Sequence, residues 1–182
     1  MNSTRFTIPI AMFVALGIVG CGHLGEFEPF REVSCVDAAK ISLKDAITAA
    51  EGAGGKVLDA DYRQDDEMGC IKGDAGVYDV TLLSKATIEV VSVDARSGEV
   101  GPRANASVMN ALLAGGRFEG SPANMARVVP KLSMRAAEAI DIAERQGGKA
   151  MVAWIDEKDG HPGYVVKLVQ RGRVHVVWVD GG

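Results

Sequence analysis

Aromatic residues make up only 5% of this 182-residue chain, which removes the stacking platforms on which base- and sugar-binding surfaces rely. Its three histidines, His23, His161 and His175, stand far apart, and none of the three cysteines is spaced Cys-x-x-Cys. The ligand sets of zinc sites and the dithiols of redox sites are therefore missing. Positive charge is not in excess: 20 Lys+Arg against 24 Asp+Glu give a net charge of −4, which argues against a nucleic-acid partner. There is no phosphate-binding glycine loop and no nucleophile elbow. No apolar run reaches the roughly 20 residues that a membrane-spanning helix needs. What remains, 47% hydrophobic and 24% charged residues, is the composition of a globular protein, long enough for one domain or two small ones.

The amino terminus reads as an address. Met1–Arg5 carries one basic side chain, and Phe6–Gly20 is apolar apart from Thr7, with Pro9 inside it. A run of about 15 residues fits a secretory signal over residues 1–20 better than a permanent span. The run ends Ile18-Val19-Gly20-Cys21, which resembles the lipobox of bacterial lipoproteins. The resemblance implies that Cys21 becomes the first residue, that its thiol carries diacylglycerol and its freed amine is acylated, and that residues 21–40 form a lipid-anchored tether. The first partner is then membrane lipid. One acyl chain, at about 0.8 kcal/mol per buried CH₂, binds marginally, whereas two or three make detachment slow. Gly22 occupies the place where aspartate retains such proteins at the inner membrane, so the expected location is the periplasmic face of the outer membrane, if the cell is Gram-negative.

Export exposes the remaining cysteines to an oxidising compartment. Cys35 and Cys70 have 34 residues between them, and a bridge there would contribute roughly 3–4 kcal/mol in the chain-entropy picture. The alternative is two unpaired thiols.

The chain also repeats itself. Ala46–Ala60 (AITAAEGAGGKVLDA) aligns with Ala139–Ala153 (AIDIAERQGGKAMVA) at an offset of 93, with eight of fifteen positions identical. Tyr78–Asp94 aligns with Tyr164–Asp180 at an offset of 86, with seven of seventeen identical. The first copy thus carries seven extra residues between Tyr62 and Tyr78, and Cys70 lies among them. Each copy reads as a helix followed by three strands. Ser42 and Asp45 form a capping pattern ahead of the stripe Leu43, Ala46, Ile47, Ala50, and Gly54-Gly55 ends the helix. In the second copy Ser133 is the expected cap, Ala136, Ala139, Ile140 and Ala143 form the stripe, and Gly147-Gly148 is the stop. Alternating strands joined by short turns must pair antiparallel. The expected fold is therefore α+β: two similar α-β-β-β repeats, packed together through one continuous sheet or through facing sheets. The last strand of each copy is apolar on both faces, which predicts a central or covered position.

Each copy resembles a PepSY domain. The resemblance rests on the helix ending before Gly-Gly-Lys, the acidic hairpin Asp156–Gly160, the Tyr-x-Val-x-Leu strand and the final strand closing on Val-Asp. It divides the chain into repeat 1 (41–101), a linker (102–130) that holds Gly115-Gly116 and a candidate short helix near 108–114, and repeat 2 (131–182). The resemblance implies binding in the cell envelope, with regulation or inhibition of a peptidase, and an envelope protein or peptide as partner. It supplies no catalytic residues and no cofactor, and none is expected here; the chain reads as a non-enzyme.

The candidate sites are few. Asp59, Asp61, Asp65, Asp66 and Glu67 make an acidic stretch that suits a solvated strand end and lacks the spacing of a calcium loop. A periplasmic cation or small-ligand binder built on it is the alternative reading, although no metal site is identified. His161-Pro162 reads as turn chemistry, and His175, which matches Glu89, as exposed. Trp154 and Trp178 take the places of Asp61 and Ser92. Either they fill the interface between the copies, or they form a partner-binding patch. Phe27 and Phe30 lie in the tether.

Overall fold

The computed structural model describes residues 35–52, 54–63, 75–85, 87–106, 125 and 127–182. Within them the chain forms helix α1 (Leu43–Glu51), strands β1 (Lys56–Arg63), β2 (Val77–Ser84), β3 (Thr87–Asp94) and β4 (Val100–Ala106), a short 3₁₀ turn (Val129–Lys131), helix α2 (Ala136–Glu144), and strands β5 (Lys149–Lys158), β6 (His161–Gln170) and β7 (Arg173–Asp180).

All seven strands belong to one antiparallel sheet in the order β4-β3-β2-β1-β5-β6-β7. The two repeats therefore join through a continuous sheet. Their seam is the β1–β5 ladder, where Asp59 faces Trp154, Ala60 faces Ala153 and Asp61 faces Val152. Ala60 and Ala153 are the same position of the two repeats, so a local two-fold axis passes between them. The row of cross-strand partners through this point reads Val91, Val80, Ala60, Ala153, Val166, Val177, the same residue types outward in both directions. Cross-strand partners share a face, and this row lies on the face that the helices cover. Small residues at its centre, together with the alanines of both helix stripes, let α1 and α2 settle onto the sheet and touch each other across the seam. The helices run antiparallel, with Lys44 Nζ 2.7 Å from Asp141 Oδ2 at one end and Arg135 Nη2 2.5 Å from Glu51 Oε2 at the other.

Local chemistry repeats with the fold. The Tyr78 hydroxyl donates to the Ile41 carbonyl at 3.0 Å, and the Tyr164 hydroxyl to the Met134 carbonyl at 3.0 Å, so each helix is tied to its own second strand at the residue before its cap. The paired glycines after each helix hold φ values of 93° and 118° at Gly54 and Gly55, and 102° and 107° at Gly147 and Gly148, conformations that side chains with a Cβ avoid. The Gly-Gly identity between the repeats is thus a backbone requirement.

Four expectations change. The linker does not start at 102: Val100–Ala106 is the edge strand β4, whose Gly, Pro and Asn conceal it, and Pro102 is tolerated because an edge strand needs no donor on its outer side. The tether does not run to 40: Cys35, Val36 and Ala39 are buried in the core, and Lys149 Nζ from the other repeat holds the carbonyls of Val36 at 2.7 Å and Ala39 at 3.1 Å. Ser133 does not cap α2. Arg135 occupies the cap, its N–H donating to Glu138 at 3.2 Å, while Ser133 bonds the Gly181 carbonyl through its N–H at 2.8 Å and its hydroxyl at 3.1 Å. Finally, β7 is not central, and no other element among the described residues covers its outer side. It is an edge, and Val174 and Val176 are 39% and 63% exposed.

Candidate functional site

The face of the sheet opposite the helices is divided at the seam. One row of partners crosses it as Val90, Thr81, Asp59, Trp154, Val165, Trp178. On the first repeat this face is polar. Asp79 accepts from Arg63 Nε at 2.6 Å and from the Ser92 hydroxyl at 2.6 Å, and Asp59 and Asp61 stand beside it. On the second repeat its middle is apolar, with Val152, Trp154, Val165, Val174, Val176 and Trp178, and Lys167 among them has its Nζ 5.4 Å from the Trp154 ring centroid, a cation–π distance.

The two tryptophans lie in different places on this face. Trp154 lies on β5 at the seam, paired with Asp59 and 8% exposed; it fills the join between repeats. Trp178 lies on the outermost strand, three strands from β1, and takes no part in that join. Val165 pairs with both tryptophans, so they bracket it on the same face. The Trp178 ring reaches diagonally across Gly163, where a Cβ would clash with the Val179 carbonyl oxygen and would stand 2.6 Å from the ring carbon Cζ2. The ring thus covers glycine backbone next to the outermost strand, and both the Val179 carbonyl and the ring leave no room for a side chain at Gly163.

The two sheet edges differ. β4 carries Pro102 and an irregular register between Val91 and Val93 of its neighbour, features that discourage further pairing. β7 runs eight residues in unbroken register along β6, contains no proline, and among the described residues pairs on that side alone. Its free side offers a regular row of backbone donors and acceptors flanked by Val174, Val176 and Trp178, the geometry that extended peptides extend.

Other expected sites fall as follows. Cys35 is disulfide-bonded; Cys21 and Cys70, the two residues able to be its partner, lie outside the described residues, as do Phe27, Phe30, Asp65, Asp66, Glu67 and the segment near 108–114. Among the described residues no group of three or more His, Cys, Asp or Glu is arranged to hold a metal ion, and no helix is long and apolar enough to cross a membrane. His175 is exposed, whereas Glu89, its counterpart, is mostly buried, with its carboxylate 2.5 Å from Arg103 Nη1. The same Arg103 reaches the carbonyls of Ala50 at 3.5 Å and Gly54 at 3.3 Å, placing a cation at the carbonyl end of α1. The repeats therefore differ where Glu89 and His175 had suggested equivalence. His161 is exposed at the start of β6, with Nδ1 4.0 Å from Asp180 Oδ2.

Residues 40–100, the first repeat, match the family described as the peptidase propeptide and YPEB domain, PepSY. No curated protein matches the chain. Among solved structures, the 1.85 Å crystal structure of a candidate lipoprotein from Clostridium difficile 630 is similar at 16% identity, covering 78% of this chain and 87% of that one with a TM-score of 0.40.

Proposed function

We propose that this chain is a lipid-anchored docking module of the bacterial envelope, which captures an extended segment of another envelope protein along β7 and thereby regulates a peptidase. One observation carries the reading: a strand apolar on both faces, regular over its whole length, stands at the sheet edge with its valines in solvent. In an exported monomer such an edge is a liability unless it has a partner. A captured strand would add main-chain hydrogen bonds to β7 and lay alternate side chains against Trp178 and Val176. The family matched by the first repeat is described by its peptidase propeptides, segments whose role is to lie against a peptidase, and this favours a peptidase or its substrate as the partner. The lipobox-like Cys21 supplies the anchor that holds the module at the membrane.

The test is recovery of a partner from detergent-solubilised envelope by the native chain, compared with Val176→Glu and Trp178→Ala. Both alter the exposed edge and leave the seam intact. The reading expects one or more envelope proteins retained by the native chain and lost from both variants, with a change in envelope peptidase activity when the chain is added. Equal recovery by all three forms, or none by the native chain, would contradict it.

A further inference from the structure

On the other side of the sheet, between the end of α1 and the start of α2, lies a cleft of about 290 Å³ walled by Glu51, Lys56, Val57, Leu132, Arg135, Ile155 and Tyr164 among others. Comparison of the repeats explains why it exists. In the first repeat the place of Ile155 is taken by Tyr62, whose ring packs edge-on against Tyr78 with centroids 5.3 Å apart. In the second repeat the smaller Ile155 beside Tyr164 leaves that space empty. The lysines of the two Gly-Gly-Lys motifs diverge in the same way. Lys149 is held by two backbone carbonyls, whereas Lys56 is exposed and no hydrogen bond or ion pair among the described residues engages it.

We propose that this cleft binds an aliphatic carboxylate, with the apolar group against Val57, Leu132 and Ile155 and the carboxylate between Lys56 and Arg135. The neutral polar groups of the wall are already occupied: the Tyr164 hydroxyl donates to Met134 and the Ser133 hydroxyl to Gly181. Glu51, whose side chain is 10% exposed, engages Nη2 of Arg135 and so fixes the guanidinium at the rim. The rest of the fork, whose side chain is 64% exposed, remains for a ligand, in the bidentate geometry that suits carboxylates. The carbonyl end of α1 would repel an anion, but Arg103 covers it. Apolar walls with a few charged groups at one end are the usual make-up of a small-ligand site, and the volume stands at the lower end of the range for such sites, which suits a small ligand. Two sources carry this chemistry: the C-terminus of an apolar peptide and a free branched-chain acid. The site lies on the helix side of the sheet and is independent of docking along β7.

The experiment titrates the full chain with isovalerate, with N-acetyl-Ala-Val and with N-acetyl-Ala-Val amide, reading the Ile155 methyl resonances by NMR and the heat by calorimetry. The expected result is saturable binding of an acid and none of the amide. Lys56→Gln, at an exposed position, should weaken binding about tenfold or more, the scale of one charge-assisted hydrogen bond. Ile155→Tyr, which gives the second repeat the ring of the first, should abolish binding while the fold is kept. Binding of the dipeptide acid alone identifies a peptide C-terminus, binding of isovalerate alone identifies a free acid, and binding of both supports a site that accepts either source. Failure of both acids to saturate, or affinity unchanged by both Lys56→Gln and Ile155→Tyr, would overturn the proposal.

Discussion

Two lysines occupy the same place in a repeated motif, and the structure assigns them opposite roles in stability. Lys149 reaches out of the second repeat to the carbonyls of Val36 and Ala39 at 2.7 and 3.1 Å, joining the segment ahead of α1 to the far half of the sheet. Burial lowers its pKa below the ordinary lysine value, a sign that desolvation offsets part of the gain. A hydrogen bond from a charged donor is worth about 1.5–3 kcal/mol, and the partial solvent access of this ammonium reduces the pair of bonds to a net of about 1–3 kcal/mol. Lys149→Met should therefore lower Tm by roughly 2–12 °C, given about 2–4 °C per kcal/mol for a chain of this size. Lys56→Met, at the exposed counterpart, should change stability by no more than about 0.5 kcal/mol. Thermal unfolding of both variants followed by circular dichroism under oxidising conditions makes the comparison, and because each loses one positive charge, net-charge effects cancel. Equal shifts in the two variants, or a neutral Lys149→Met, would refute the reasoning that the pre-helix segment is held across the seam.

Trp154→Ala should cost about 3–5 kcal/mol, since it empties a buried aromatic site at the seam, while Trp178→Ala should cost clearly less in urea unfolding; the reverse order would misplace the seam. Burial holds the pKa values of Tyr78 and Tyr164 above the ordinary tyrosine value. The folded state therefore keeps protons that the unfolded state releases, so stability is full below about pH 10 and is lost as pH rises beyond it. Absorbance at 295 nm should show these two tyrosines titrating only with unfolding; smooth titration of all three tyrosines while the fold persists would contradict this. Cys70→Ser should lower thermal stability by roughly 3–4 kcal/mol under oxidising conditions and leave it unchanged under reducing ones, and equal melting of the variant and the native chain under oxidising conditions would mean that Cys35 pairs elsewhere.

Much of the architecture was legible because the chain states it twice. The offset alignment of 46–60 with 139–153 placed both helices and their glycine stops, and alternation placed six of the seven strands. β4 was not legible, because Val100–Ala106 carries the residues that mark loops and becomes a strand through the β3 edge beside it. The cap of α2 was misassigned because Ser133 has the right chemistry but is drawn to the Gly181 carbonyl, a contact 48 residues distant. The candidate surface was half legible. The tryptophans stood out as apolar replacements for Asp61 and Ser92, but which one fills the seam depends on strand order, and nothing local to either residue encodes that. The same holds for β7: two apolar faces suggested a buried strand, and only the order of the sheet leaves it at the edge. The cleft at Lys56 had a signal that went unused, the exchange of Tyr62 for Ile155 between otherwise matching positions.

The two repeats share one sheet across Ala60 and Ala153. Interstrand nuclear Overhauser effects in the full chain measure that join directly. Cross-peaks linking the backbone protons of Ala60 with Ala153, and of Asp61 with Val152, are the expected result. Their absence, with each repeat's own strand pairings intact, would show two separate modules and would contradict the shared sheet and the edge it leaves free at β7.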